Sequence, residues 1–312
     1  IEYGDYMIKL KNIISFFVSI IILLFIFLNF DVIYEKLKDI VYVQPELVIN
    51  PGNNFTKEYD FEFVRQVDDY VPYSYDDLVH IFYSILNQGW DEFTFYCPLQ
   101  YTDCLRDVEK ISYNEVLLSD INNFVHPYNS YSTIKTLYDD MGEVTIKVKH
   151  LYSDDEIKRI DNTIDKMIDD ITNDTMSDVE KIRALHDYIV NNTKYDITRA
   201  NEGTSSYDSS RILGLLYDHY SICSGYSDTM AVMLNKLGIE NYKVASETHV
   251  WNAVKLDDKW LHLDLTWDDP VSTSGKDILD HTYFLIDTYT LREISLDDVE
   301  HIYDRDIYIE LN

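Results

Sequence analysis

One cysteine, one histidine and one aspartate stand in settings that suit nucleophilic acyl chemistry. Cys223 lies in Ser221-Ile222-Cys223-Ser224-Gly225-Tyr226, His249 in His249-Val250-Trp251-Asn252, and Asp264 in Asp264-Leu265-Thr266-Trp267-Asp268-Asp269-Pro270. A thiolate can attack a carbonyl carbon, an imidazole can hand a proton to the departing amine, and a carboxylate can orient that imidazole. Alone, each residue has an ordinary structural use: a small buried hydrophobe, a satisfied strand histidine, a turn cap. Their combination, with one predicted helix start facing a two-stranded platform, favours the catalytic use.

The surrounding elements must bring the three together. Residues 226–237 read as a helix with apolar Met230, Val232, Met233, Leu234 and Leu237 and a stop at Gly238, which puts Cys223 at or just before a helix N-terminus. Free N–H groups and the helix dipole favour an anion there, whereas an ordinary thiol, with a pKa of about 8.5, is mostly protonated near neutrality. Residues 248–256 and 259–266 read as a hairpin around Asp257-Asp258; Leu261, Leu263 and Leu265 take one face, and Trp260, His262, Asp264 and Thr266 the other. A two-residue turn makes His249 and Asp264 diagonal neighbours, a turn slipped back by one residue sets them opposite, and a bulge would break the parity.

On these motifs the chain resembles the transglutaminase-like superfamily, specifically bacterial members whose core runs Cys-x-Gly-Tyr, then His-x-Trp-Asn, then Asp-x-Thr-Trp. The resemblance extends upstream through Met176-Ser177-Asp178-Val179-Glu180-Lys181 and His186-Asp187-Tyr188-Ile189-Val190, and downstream to His281-Thr282-Tyr283-Phe284-Leu285. It implies a papain-like α+β core, in which a cysteine-bearing helix packs on an antiparallel sheet carrying histidine and aspartate. It also implies Cys223 as nucleophile, His249 as general base and acid, and Asp264 as the residue orienting His249. Leu213 departs from the aromatic or polar residue expected at its position in many relatives.

A metal centre is the competing use of this region, since His249, His262, Asp264, Asp268, Asp269 and His281 all have ligand chemistry. They lack any recognised metal-ligand spacing, so neither a metal nor another cofactor is expected. His262 is expected to pack beside the triad, and Asp268-Asp269-Pro270 to end the strand as a turn.

Residues 12–30 carry no charge and are dominated by Ile, Phe, Leu and Val, a run just long enough to cross a bilayer at about 1.5 Å per residue. Lys9 and Lys11 precede it and mixed charges follow, so the positive-inside rule puts residues 1–11 in the cytoplasm and the body outside, held by an uncleaved anchor. A formal net charge of −30 over 312 residues argues against nucleic acid as a partner. Of three cysteines, Cys97 and Cys104 are close enough to bridge a loop while Cys223 stays free.

The expected organisation is therefore an anchor at 12–30, a stalk at 31–58, an α+β domain of unassigned role at 59–150 and a catalytic domain at 151–312. Within these, helices are expected at 75–87, 112–124, 154–171 and 177–191, with strand-like runs at 91–97 and 143–149 and strands beginning after 241, 248, 259 and 281. The function this implies is a membrane-anchored, extracytoplasmic cysteine acyltransferase or hydrolase, acting on amide bonds of protein or peptide substrates through a thioester. A non-catalytic surface-binding module that keeps the fold is the alternative.

Overall fold

The computed structural model describes residues 2–41, 47–270, 278–296 and 298–312. It divides into two compact units, Ile1–Val48 and Ile49–Asn312.

The smaller unit consists of helices Glu2–Leu28 and Phe30–Val41. Within the first, Lys11–Leu28 is long and apolar enough to cross a membrane by length and composition. The expected stalk needs correction. Residues 30–41 are helical, 42–46 lie outside the described residues, and 49–58 belong to the larger unit. The reason is polar as well as apolar: buried Lys57 donates from Nζ to the Asn241 carbonyl at 2.6 Å, and Asn53 bonds the Asn129 amide oxygen at 2.7 Å.

In the larger unit, helix Cys223–Lys236 lies against an antiparallel sheet of three strands in the order Asn241–Ala245, Val250–Leu256, Lys259–Leu263. Met230, Val232, Met233 and Leu234 of the helix join Val254 and Leu263 of the sheet in one core. Two further helices complete it: Asp154–Ile171 contributes Ile160 and Ile164, and Asp178–Asn192 contributes Ile182, Leu185 and Ile189. The apolar residues recur at helical spacing, and each helix opens with a capping box, Ser153 with Glu156 and Ser177 with Glu180. Alternate sheet positions reach the Cys223 helix through polar contacts, Lys243 Nζ to Asp228 at 2.7 Å and the Asn252 amide to the Ser227 carbonyl at 3.0 Å.

A second antiparallel sheet, with Glu143–His150 between Glu92–Tyr96 and Tyr131–Tyr138, packs with helices Tyr75–Asn87, Cys104–Ser112 and Glu115–Asn123. The Cys97–Cys104 disulfide straps the end of one strand to the start of a helix. The expected single helix over 112–124 is interrupted because Asn114 caps a new one, accepting from the Leu117 N–H at 3.1 Å. The strand Tyr131–Tyr138 carried no strong pattern, since it is an edge strand with little buried surface. After His281 the described residues form isolated bridges, His262 to Ile286 and Ser246 to Tyr303, in place of the expected strand.

The expected boundary at residue 150 does not divide the structure. Phe61 and Phe124 meet Tyr242, Trp260 and Tyr308 in one aromatic cluster, with Tyr242 stacked on Phe124 at 4.8 Å and Tyr308 stacked on it at 5.7 Å. Rings of this size bury about 150–250 Å² each. The Tyr308 hydroxyl accepts from Asn123 at 2.9 Å and donates to Asp120 at 3.1 Å, so the C-terminal residues seal the two parts together.

Candidate active site

Cys223 is the first residue of its helix, after Ile222 in extended backbone. An N–H in the first helical turn has no intrahelical acceptor and points outward. The preceding loop crosses close beneath: Ile222 N–H donates to the Ser209 carbonyl at 2.9 Å, and Ser224 Oγ to the Ser210 carbonyl at 2.9 Å. Gly225 permits this approach, because a Cβ there would stand 2.3 Å from Ser221 Oγ and 2.9 Å from the Ser209 carbonyl. A short parallel pairing sets Tyr195 level with Ser221. Burial, then the neighbouring Cys223, pushes the Tyr195 hydroxyl up to about 12, so it is a neutral donor at physiological pH.

The hairpin turns on Asp257 and Asp258, both left-handed, with φ of 48° and 61°. This is the backbone of a two-residue hairpin turn, whose twist matches the strands. Its register pairs Leu256 with Lys259 and Asn252 with Leu263. Continued by one step, the register sets Asp264 level with Trp251, which makes His249 and Asp264 diagonal neighbours. His249 Nε2 and Asp264 Oδ2 are 2.6 Å apart and both side chains are buried.

Asp264 accepts four hydrogen bonds. Oδ2 receives His249 Nε2 and, at 2.9 Å, His301 Nε2; Oδ1 receives the Thr266 N–H at 2.9 Å and the Trp267 N–H at 3.2 Å. Burial alone would raise its pKa, but these donors outweigh it and hold the carboxyl well below the usual carboxylate range. With Nε2 engaged by Asp264, Nδ1 is the ring nitrogen left to serve Cys223. Burial opposes the charged ring, yet the Asp264 carboxylate and Cys223 push His249 up to about 10. Trp251 stacks on the His249 ring at 5.6 Å and is 1% exposed, so it walls the imidazole from solvent.

His301 is the residue that sequence reasoning missed. It is buried, donates to the carboxylate His249 uses, and has Nδ1 2.6 Å from Asp298. Trp251, Trp267 and Tyr283 enclose its ring, Tyr283 stacking at 4.8 Å. A lone histidine 37 residues beyond Asp264 carries no recognisable spacing.

The residues considered together as metal ligands are dispersed. His262 accepts from Trp251 Nε1 at 3.0 Å and donates to Thr288 at 3.0 Å, a neutral ring whose pKa burial pushes down to about 3. Asp269 accepts from the Tyr226 hydroxyl at 2.5 Å, while Asp268 and His281 join a separate group with His186 and Asp187. Asp268-Asp269 thus does more than end a strand. Leu213 packs on the hydrophobic core.

Residues 165–265, a segment that includes Cys223, His249 and Asp264, match the model of the transglutaminase-like superfamily. The chain is similar to kyphoscoliosis peptidase of Homo sapiens, 23% identical over 142 residues, covering 39% of this chain and 21% of that protein. It is also similar to the Mus musculus protein of the same name, 23% identical over 120 residues, covering 33% and 18%. The chain thus spans about a fifth of the length of these curated relatives. A solved structure described as a TGase covers 44% of this chain and 45% of its own, with 20% identity and a TM-score of 0.33.

Proposed function

We propose that the protein is a membrane-anchored, extracytoplasmic cysteine acyltransferase or hydrolase that acts on amide bonds of protein or peptide substrates. One observation carries the reading: a single buried imidazole is bonded to Asp264 through Nε2 at 2.6 Å and has its pKa raised by Cys223, which stands at the start of a helix. The raised basicity of His249 supports an imidazolium beside a thiolate. The thiolate attacks the amide carbonyl, and the oxyanion is met by the Cys223 N–H, with the neutral hydroxyl of Tyr195, whose backbone pairs with Ser221, as a second candidate donor. His249 gives its proton to the departing nitrogen as the C–N bond breaks, leaving a thioester. It then takes a proton from an incoming amine or water, which releases the acyl group and returns the thiolate. The anchor proposal rests on helix Lys11–Leu28 and the lysines before it; the Cys97–Cys104 disulfide supports an oxidising compartment.

The experiment is a screen of glutamine-containing and other peptide amides with a fluorescent primary amine, reading amine incorporation, ammonia release and peptide cleavage in parallel. Cys223→Ala should abolish whichever product forms. Turnover by that variant at the original rate would remove Cys223 from the mechanism, and no turnover in any arm would favour the binding-module alternative.

A further inference from the structure

A cluster apart from Cys223 has the composition and geometry of a metal site. His186, on helix Asp178–Asn192, is fully buried, with Nδ1 2.9 Å from Asp187 Oδ1 and Nε2 3.2 Å from Asp268 Oδ2. His281 Nε2 lies 2.7 Å from the same Asp187 oxygen, and the ligand atoms of His186, Asp187 and His281 all fall within 4.8 Å of one another. We propose that His186 Nδ1, Asp187 Oδ1 and His281 Nε2 bind a divalent transition-metal ion, zinc foremost, with Asp268 as its outer support.

Three features favour a cation. A neutral imidazole carries one N–H, so His186 can donate to only one of the two carboxylates at its nitrogens. With an ion on Nδ1, the Nε2–H is left for Asp268, the carboxylate–histidine–metal relay that fixes a ligand ring. Asp268 is itself set in place by the Tyr283 N–H, which donates to its Oδ1 at 2.9 Å. Two carboxylates are neutralised by one divalent ion, and imidazole with carboxylate suits zinc and its neighbours. Ligands on zinc bonds of about 2.0–2.1 Å stand roughly 3.3 Å apart in a tetrahedron, so small outward shifts of the present contacts admit the ion. Phe284 packs edge-on against both rings, at 5.2 and 5.9 Å, as an apolar wall. Asp187 and His281 are each 32% exposed, which leaves an entry path and a fourth position for water.

The ion has a place in the fold. Asp268 N–H donates to the Asp264 carbonyl at 3.2 Å, and Tyr283 stacks on His301. Metal bound here ties helix Asp178–Asn192 to the segment that carries the Asp264 end of the catalytic network. The spacing was unreadable in sequence because 94 residues separate Asp187 from His281.

The test uses the full chain in detergent with Cys223→Ala, so that the catalytic thiol cannot hold the ion. After removal of metal by chelator, Zn2+ is titrated by calorimetry and Co2+ by visible absorption. A single ion should bind and raise the melting temperature. His281→Ala should weaken binding by at least about a hundredfold and remove the thermal shift, and Asp268→Asn should weaken it about 10- to 100-fold. Circular dichroism checks each fold; if His281→Ala does not fold, Asp187→Asn replaces it with the same expectation. No binding in the parent, equal affinity in the folded variant, or binding lost only in His301→Ala would overturn the proposal; the last places the ion among His249, Asp264 and His301 instead.

Discussion

Asp264→Asn is nearly isosteric, yet it should disable the site through hydrogen-bond polarity. All four partners of the carboxylate are donors, two on each oxygen. An amide accepts at its oxygen only, so its NH2 must face either the two histidines or the two backbone N–H groups. If the NH2 faces His249, the proton moves to Nδ1, the nitrogen that serves Cys223, and the ring can no longer take the thiol proton. Inverting a triad tautomer in this way lowers the rate by about 10⁴ in a well-studied serine protease. If the NH2 faces Thr266 and Trp267, each blocked N–H costs about 1–3 kcal/mol of stability. Either way the charge that holds His249 near 10 is gone, and burial then drives that pKa down. Iodoacetamide reads this directly, because Cys223 is the one cysteine outside the disulfide. An ordinary thiol is about 0.3% ionised at pH 6 and a low-basicity thiolate is less nucleophilic, so the wild type should label roughly 10- to 100-fold faster than the variant there. Equal labelling rates at pH 6 in a folded variant would refute the ion-pair reasoning. Stability supplies a second readout. The depressed carboxyl of Asp264 stabilises the fold above its unfolded pKa near 3.8 and loses that contribution as pH falls through its folded value; the raised His249 contributes fully below 6.5 and loses it as pH rises through about 10. The gap in melting temperature between wild type and variant should therefore be widest between about pH 4 and 6.5.

Three further outcomes are expected. His301→Gln removes a charge-assisted bond to Asp264, worth about 1.5–3 kcal/mol, and should slow acyl transfer about 10- to 100-fold while leaving Cys223 labelling at pH 8 nearly unchanged; full activity would remove His301 from the network. Cys97→Ser opens a loop with a sequence separation of 7 and should cost about 2.5 kcal/mol in denaturant unfolding, with no change in the labelling rate of Cys223; unchanged stability would mean the bridge constrains nothing. A membrane-impermeant maleimide on intact cells should label Cys223, and external protease should remove the body while sparing Lys11–Leu28; labelling only after lysis would reverse the proposed orientation.

Sequence revealed most where local rules decide the geometry. Asp257-Asp258 offered a two-residue turn, one of three geometries open to the sequence, and the left-handed backbone at both residues selects it, so that strand parity brings His249 to Asp264. Gly238 marked the end of the Cys223 helix, and the two capping boxes marked their helix starts within a residue. What stayed hidden depends on distant partners. Phe61, Phe124 and Tyr308 read as ordinary aromatics until they close on Tyr242, and that closure is why no boundary falls at 150. Lys57 looked like a linker residue until Asn241 supplied its acceptor. His301 and the His186 cluster are assembled by the C-terminal fold across 37 to 94 residues, where periodicity is silent.

The most direct measurement is acid-quenched intact mass spectrometry after brief exposure to an activated acyl ester, p-nitrophenyl acetate. One added acyl group per chain is expected, mapped to Cys223, discharged by hydroxylamine, absent in Cys223→Ala and formed far more slowly in His249→Ala. Acylation of Cys223 at the same rate in His249→Ala, or no acyl group on Cys223 in the wild type, would contradict a nucleophile activated by His249 and Asp264.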